Sequence, residues 1–81
     1  MLSELASARI VTGLKQTKRA VESGRAASVY IAEDAETRLR LELSQLCSRY
    51  GVQEHSAESM LALGRACGIK IGASSAAVLK D

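Results

Sequence analysis

A chain of 81 residues with 47% apolar and 25% charged side chains has the make-up of one globular domain over residues 1–81, with a core just large enough to fold unaided. Its net charge is only +2, so overall charge gives no reason to expect an acidic partner, and a local basic patch would have to supply one. No apolar run approaches membrane-spanning length, "MLSELASARIVTG" mixes Glu, Ser and Arg among its apolar residues unlike a signal peptide, and neither Cys47 nor Cys67 lies in a Cys-x-x-Cys unit, so a cytoplasmic protein with two buried thiols is expected.

The chain has no Trp and no Phe, so its core must be built from Leu, Ile, Val, Ala and Met, and facing elements can approach closely. Proline is absent too, and glycines do the punctuating. Leu2, Leu5 and Ala6 share a face and predict a short first helix; Ile10-Val11 predicts a brief strand before Thr12-Gly13 breaks the pattern. From Leu14 to Ser23 the period is helical. Leu14, Thr17, Ala20 and Val21 fall on one side, and Lys15, Gln16, Lys18, Arg19 and Glu22 on the other, with Gly24 as the C-terminal stop.

"AASVYIA", Ala26 to Ala32, is short, apolar and β-branched at Val29 and Ile31, which suits a strand covered on both faces. Asp34 or Thr37 is positioned to cap a long helix in which Leu39, Leu43, Leu46, Cys47 and Tyr50 follow helical spacing up to Gly51. Val52 to Ala57 predicts a strand. Met60, Leu63, Gly64 and Cys67 share one face of a helix that Gly68 stops, and "IGASSAAVL" predicts a last strand. This alternation implies helices on both faces of one small, mixed, four-stranded sheet: an α/β protein built as a three-layer α/β/α sandwich.

Two segments stand out. Lys15 and Arg19, four residues apart, stand one above the other on the second helix, with Gln16 and Lys18 beside them and Gly13 just ahead. A helix N-terminus attracts phosphate; Arg and Lys can donate to guanine O6 and N7; Gln can pair with a base edge. Spacing alone favours a plain solvated face, with Glu22 balancing Lys18 or Arg19. The other segment is Glu58 to Ile69, whose bland reading is a core helix using Gly64 and Ala66 for close packing, with Arg65 in solvent.

Signals of catalysis are poor. His55 is the one histidine, and on a strand its neighbours Glu54 and Ser56 point to the opposite face. Cys47, Cys67 and His55 have no metal-ligand spacing, and neither a Walker loop nor a G-x-G-x-x-G is present, so no enzyme, metal or cofactor is expected.

"GLKQTKRAVESG", followed by "VYIAEDAE" and "LGRACGI", resembles the kink-turn RNA-binding superfamily of ribosomal proteins. Its members include ribosomal protein L-seven-Ae and its L-thirty-e relative, and the match is nearest to the short bacterial L-seven-Ae-like proteins. The resemblance covers roughly Leu2 to Leu79 and implies the same sandwich fold. It also implies binding, as a monomer, of kink-turns: internal loops with tandem sheared G·A pairs beside a bulge, carried by ribosomal RNA, a riboswitch or another structured RNA. The family's base-contacting positions fall on Lys15, Gln16 and Arg19, and its flanking backbone and phosphate contacts on Gly13 and Lys18. A second contact is implied at the loop Ala57, Glu58, Ser59 and Met60, with Arg65 beside it. Archaeal and eukaryotic members usually carry Asn-Glu where this chain has Lys15-Gln16, and usually Lys where it has Arg19. The fold also occurs in proteins that act through protein partners, so a protein–protein adaptor is the rival expectation.

Overall fold

The computed structural model describes residues 9–80, so the helix expected around Leu2, Leu5 and Ala6 lies outside the described residues. Within them the elements alternate: β1 (Ile10–Thr12), α1 (Leu14–Glu22), β2 (Ala26–Ala32), α2 (Thr37–Tyr50), β3 (Gln53–Ala57), α3 (Met60–Ala66) and β4 (Ser75–Leu79). The strands form one mixed sheet in the order β1-β4-β2-β3, with β2 parallel to β3 and β4 antiparallel to both its neighbours.

Period-two alternation in β2 divides the core between the two faces. Val29 and Ile31 point to one side, where they meet Ala20 and Val21 of α1, Leu43 and Cys47 of α2, and Ala77 of β4. Tyr30 and Ala32 point to the other, against Leu63 of α3 together with Ala57 and Ala76. The predicted three-layer sandwich is therefore the observed one, α1 and α2 on one face and α3 on the other. Small residues on the sheet, such as Ala32, Ala76 and Ala77, let the helices come close.

Several local expectations need correction. Asp34 and Thr37 do not cap α2, whose first position follows Glu36 without a side-chain cap. Asp34 instead accepts the Met60 N–H at 2.7 Å, at the start of α3. The last strand begins at Ser75, not Ile71, because the backbone before it is bonded elsewhere: Ala73 N–H donates to Met60 O at 3.0 Å. Tyr50 is exposed, at the end of α2, and Cys67 is only half-buried, unlike Cys47.

Candidate nucleic-acid interface

Topology gathers the segments of interest at one end of the sheet. β1, β2 and β3 run in the same direction, so Gly13, Glu33 and Glu58 follow their C-terminal ends side by side, and β4 starts there at Ser75. Backbone hydrogen bonds stitch this end together: Gly13 N–H donates to Ser75 O (2.9 Å), Ala32 N–H to Ser74 O (2.9 Å) and Glu33 N–H to Ala57 O (2.8 Å). Beneath them the buried Ser75 hydroxyl donates to Thr17 Oγ1 at 3.2 Å, fixing the first turn of α1 to β4.

α1 leaves the sheet at Gly13, whose φ of 94° only glycine adopts without strain. An added Cβ there would meet open space, so it is the backbone conformation and not crowding within the protein that calls for glycine. No side chain caps α1 and no carboxylate lies in its first turn, so the leading N–H groups keep their partial positive charge facing outward. Thr17, Ala20 and Val21 are buried, which turns Lys15, Gln16 and Arg19 to solvent. These three make no side-chain hydrogen bond or ion pair among the described residues.

Lys18 differs. It is half-buried against α2, where it donates to and pairs with Glu42. That hydrogen bond and the Glu42 charge raise its ammonium above the ordinary lysine range, with Glu22 adding to the effect. A phosphate approaching Lys18 would compete with a carboxylate already in place.

The loop after β3 is largely occupied by the fold. Ala57 is buried in the core under α3. The Ser59 hydroxyl accepts the Ala62 N–H at 3.0 Å as the N-cap of α3, and the Met60 N–H is taken by Asp34. Glu58 alone in this loop is exposed, and Ser59 and Met60 are partly so. Arg65 is exposed in the last turn of α3. What the sequence reading passed over is the segment between α3 and β4. Lys70 is exposed and Ile71 is 74% exposed, the barest large apolar side chain described. This segment packs on α3 and leads into Ser74 and Ser75, whose carbonyls accept from Ala32 and from Gly13 ahead of α1. The available signal was "GIKIG", an apolar–basic–apolar unit bracketed by glycines, of which the sequence assigns only Ile71-Gly72, to the start of the last strand.

The model of the ribosomal protein L7Ae/L30e/S12e/Gadd45 family matches residues 2–81. The chain belongs to this family. Among relatives, the RNA-binding protein GK0100 of Geobacillus kaustophilus is 38% identical over 76 residues, covering 94% of this chain and 93% of its own length. The RNA-binding protein YbxF of Geobacillus stearothermophilus is 37% identical with the same coverage. Among solved structures, the Giardia lamblia 15.5kD RNA binding protein superposes with a TM-score of 0.87 at 32% identity, covering 99% of this chain and 68% of that one. A protein of unknown function from Bacillus halodurans C superposes with a TM-score of 0.89 at 28% identity, over 98% of this chain and 83% of that one. Like the sequence reading, the L7Ae/L30e/S12e/Gadd45 match takes in nearly the whole chain, both outstanding segments included. Among the described residues no helix is long and apolar enough to cross a membrane, and no group of three or more His, Cys, Asp or Glu is placed to hold a metal ion.

Proposed function

We propose that the protein is an RNA-binding module, not an enzyme, and that it recognises kink-turns through the edge formed by Gly13, Lys15, Gln16, Arg19 and the Lys70–Ile71 segment. The observation that carries this reading is the N-terminus of α1: uncapped, free of acidic residues in its first turn, and lined by side chains with no hydrogen-bond or ion-pair partner among the described residues. The RNA-binding relatives, alike over nearly their whole length, support it.

The physical account starts from the RNA. A-form duplex has a deep, narrow major groove that side chains cannot read. A sharp kink at tandem G·A pairs opens that groove and bares guanine edges. Lys15 and Arg19 then donate to O6 and N7, Gln16 pairs with a base edge, and the free N–H groups of α1 take a phosphate. Ile71 offers an apolar surface to an unstacked bulged base. Because only the kinked form presents these groups together, binding shifts the RNA population toward it, with no covalent step. Lys18 enters this account only by exchanging Glu42 for phosphate, and Ala57 and Ser59 contribute through their backbone and the shape they give the loop around Glu58 and Met60. Arg65 adds positive charge one turn before the Lys70–Ile71 segment.

The test is titration of wild type and Arg19→Ala against an intact kink-turn and one with the G·A pairs replaced. Wild type should prefer the intact RNA, and Arg19→Ala should lose about 1–3 kcal/mol on it while losing discrimination. Absence of binding by wild type at low salt, with tight capture of a protein partner instead, would establish the adaptor reading in place of this one.

A further inference from the structure

We propose that the opposite end of the sheet, built from Arg9, Arg25 and Lys80, is a second phosphate-gripping surface that holds the duplex stem running down α1 away from the bend. The inference rests on the RNA-binding reading above and extends it to the flanking helix.

The three residues are distant in sequence and adjacent in the fold. Arg9 precedes β1, Arg25 precedes β2 and Lys80 follows β4, which lies between those two strands. Backbone bonds lock them side by side: Leu79 N–H donates to Arg9 O at 2.9 Å, and Lys80 N–H donates to Arg25 O at 2.8 Å. Strands stand about 5 Å apart, so three cations share an edge about 10 Å wide. All three are exposed, and none has a side-chain hydrogen bond or ion pair among the described residues; the one ion pair described is Lys18–Glu42. Glu22, in the last turn of α1, is the carboxylate nearest Arg25 in sequence among the described residues and forms no ion pair with it. Like charges gathered with no ion-pair partner among the described residues add nothing to the stability of the fold they sit on. A row of phosphates would neutralise them.

The cluster also continues the candidate interface. α1 lies over β4, β1 and β2, with its uncapped N-terminus at the Gly13 end and its C-terminus at the Arg25 end, where Arg25 N–H donates to Ala20 O at 2.9 Å. Lys15 and Arg19 on its exposed side lead from one end toward the other. The five residues of β4 separate the two ends by about 14 Å. Single side chains cannot cover that span, but a duplex leaving the kink along α1 can. The chemistry on offer is charge alone, with no aromatic platform and no helix N-terminus, so the contact is to backbone and independent of sequence.

The experiment compares wild type with Arg9→Gln/Arg25→Gln/Lys80→Gln on two series of kink-turn RNAs. Each stem in turn is extended to about sixteen base pairs or cut to a third of that. The reading is the slope of log affinity against log salt concentration. On the RNA with the right stem long, the triple variant should lower the slope by about 2–3, since each phosphate contact contributes about 0.7–0.9. On the short-stem RNAs it should match wild type. Wild type binding the kink-turn with the same slope on every stem, and the variant doing likewise, would overturn the stem contact and leave the kink-turn reading standing. A slope lost equally on short and long stems would also overturn it. Failure of wild type to bind any of these RNAs would overturn the kink-turn reading itself, and this inference with it.

Discussion

Gly64→Ala offers the sharpest test of how the interface is built. Gly64 is buried in the middle of α3, where a Cβ would lie 2.1 Å from Ile71 O and 3.1 Å from Gly72 Cα. Both are backbone atoms, which no rotamer change can clear. Ordinary contact begins at 3.4 Å, so the Lys70–Gly72 backbone must retreat by about 1.3 Å. That retreat is resisted on both sides, by Ile69 N–H donating to Gly64 O at 3.0 Å and by Ala73 N–H donating to Met60 O at 3.0 Å. Alanine gains about 1 kcal/mol of helix propensity, whereas overpacking of this kind costs about 1–3 kcal/mol and the two hydrogen bonds are strained as well. The overpacking term wins. The variant should be less stable by about 1–2 kcal/mol, and a domain of this size loses roughly 4–8 °C of melting temperature per kcal/mol. Thermal unfolding measures the first effect, and amide chemical shifts measure the displacement, which should centre on residues 69–73. Kink-turn affinity should fall too, because Ile71 is displaced from its place in the proposed interface. A variant as stable as wild type, with the amides of residues 69–73 unmoved, would refute the close approach and with it the role of Gly64 in placing Ile71.

Asp34→Ala removes the acceptor of the Met60 N–H and should cost about 1 kcal/mol, as loss of a helix cap does, whereas Asp34→Asn should keep most of it; chemical denaturation of the two variants separates these outcomes. Burial, with the Glu54 charge adding, pushes the Cys47 thiol from its ordinary 9.0 up to about 11, so the neutral thiol supplies stability that is whole below pH 9.0 and lost as pH rises through about 11. Wild type should therefore lose its stability relative to Cys47→Ala over that window, and a pH-independent difference would show that Cys47 ionises freely in the fold. The half-buried Cys67 should be alkylated by a maleimide well before Cys47 in the native protein.

Legibility in the sequence followed the strength of the periodic signal. The exposed side of α1 was readable because four core positions at helical spacing leave Lys15, Gln16 and Arg19 one direction to point. The buried run of β2 was readable for the same reason, its β-branched residues being covered on both faces. Asp34 was misplaced because capping rules look along the chain, and its partner at Met60 lies 26 residues away. The Lys18–Glu42 pair was invisible for a similar reason, since helical spacing says nothing of which neighbouring helix lies alongside. The segment from Ile69 to Ser74 was the costliest miss. The sequence predicts a strand from Ile71 onward, but the glycines at 64 and 72 let the segment's backbone lie close on α3, and Ile71 is exposed. The cluster of Arg9, Arg25 and Lys80 exists only through strand order.

Charge partition explains how a chain of net charge +2 can present a basic edge. Lys15 and Arg19 on α1, Arg9 before β1 and Lys80 after β4 lie at the α1, β1 and β4 side together with Glu22, whereas Glu33, Asp34, Glu36, Glu54 and Glu58 lie on or beside β2 and β3 together with Arg25 and Arg38. All are exposed. At the Gly13 end, Glu58 stands three strands away from Gly13 across the sheet, about 14 Å. That exceeds the screening length of about 8 Å at physiological salt, so the two signs act separately on a ligand. Under the proposed kink-turn reading, the carboxylates repel phosphate and the basic residues of α1 attract it, which would orient a bent RNA. On that reading its backbone is expected to run along α1, with bases, not phosphates, nearest Glu58. A carboxylate there accepts from the exocyclic amines of adenine, cytosine or guanine and offers nothing to a phosphate. On the proposed reading, the side of the molecule that looks unsuited to nucleic acid therefore serves to orient it.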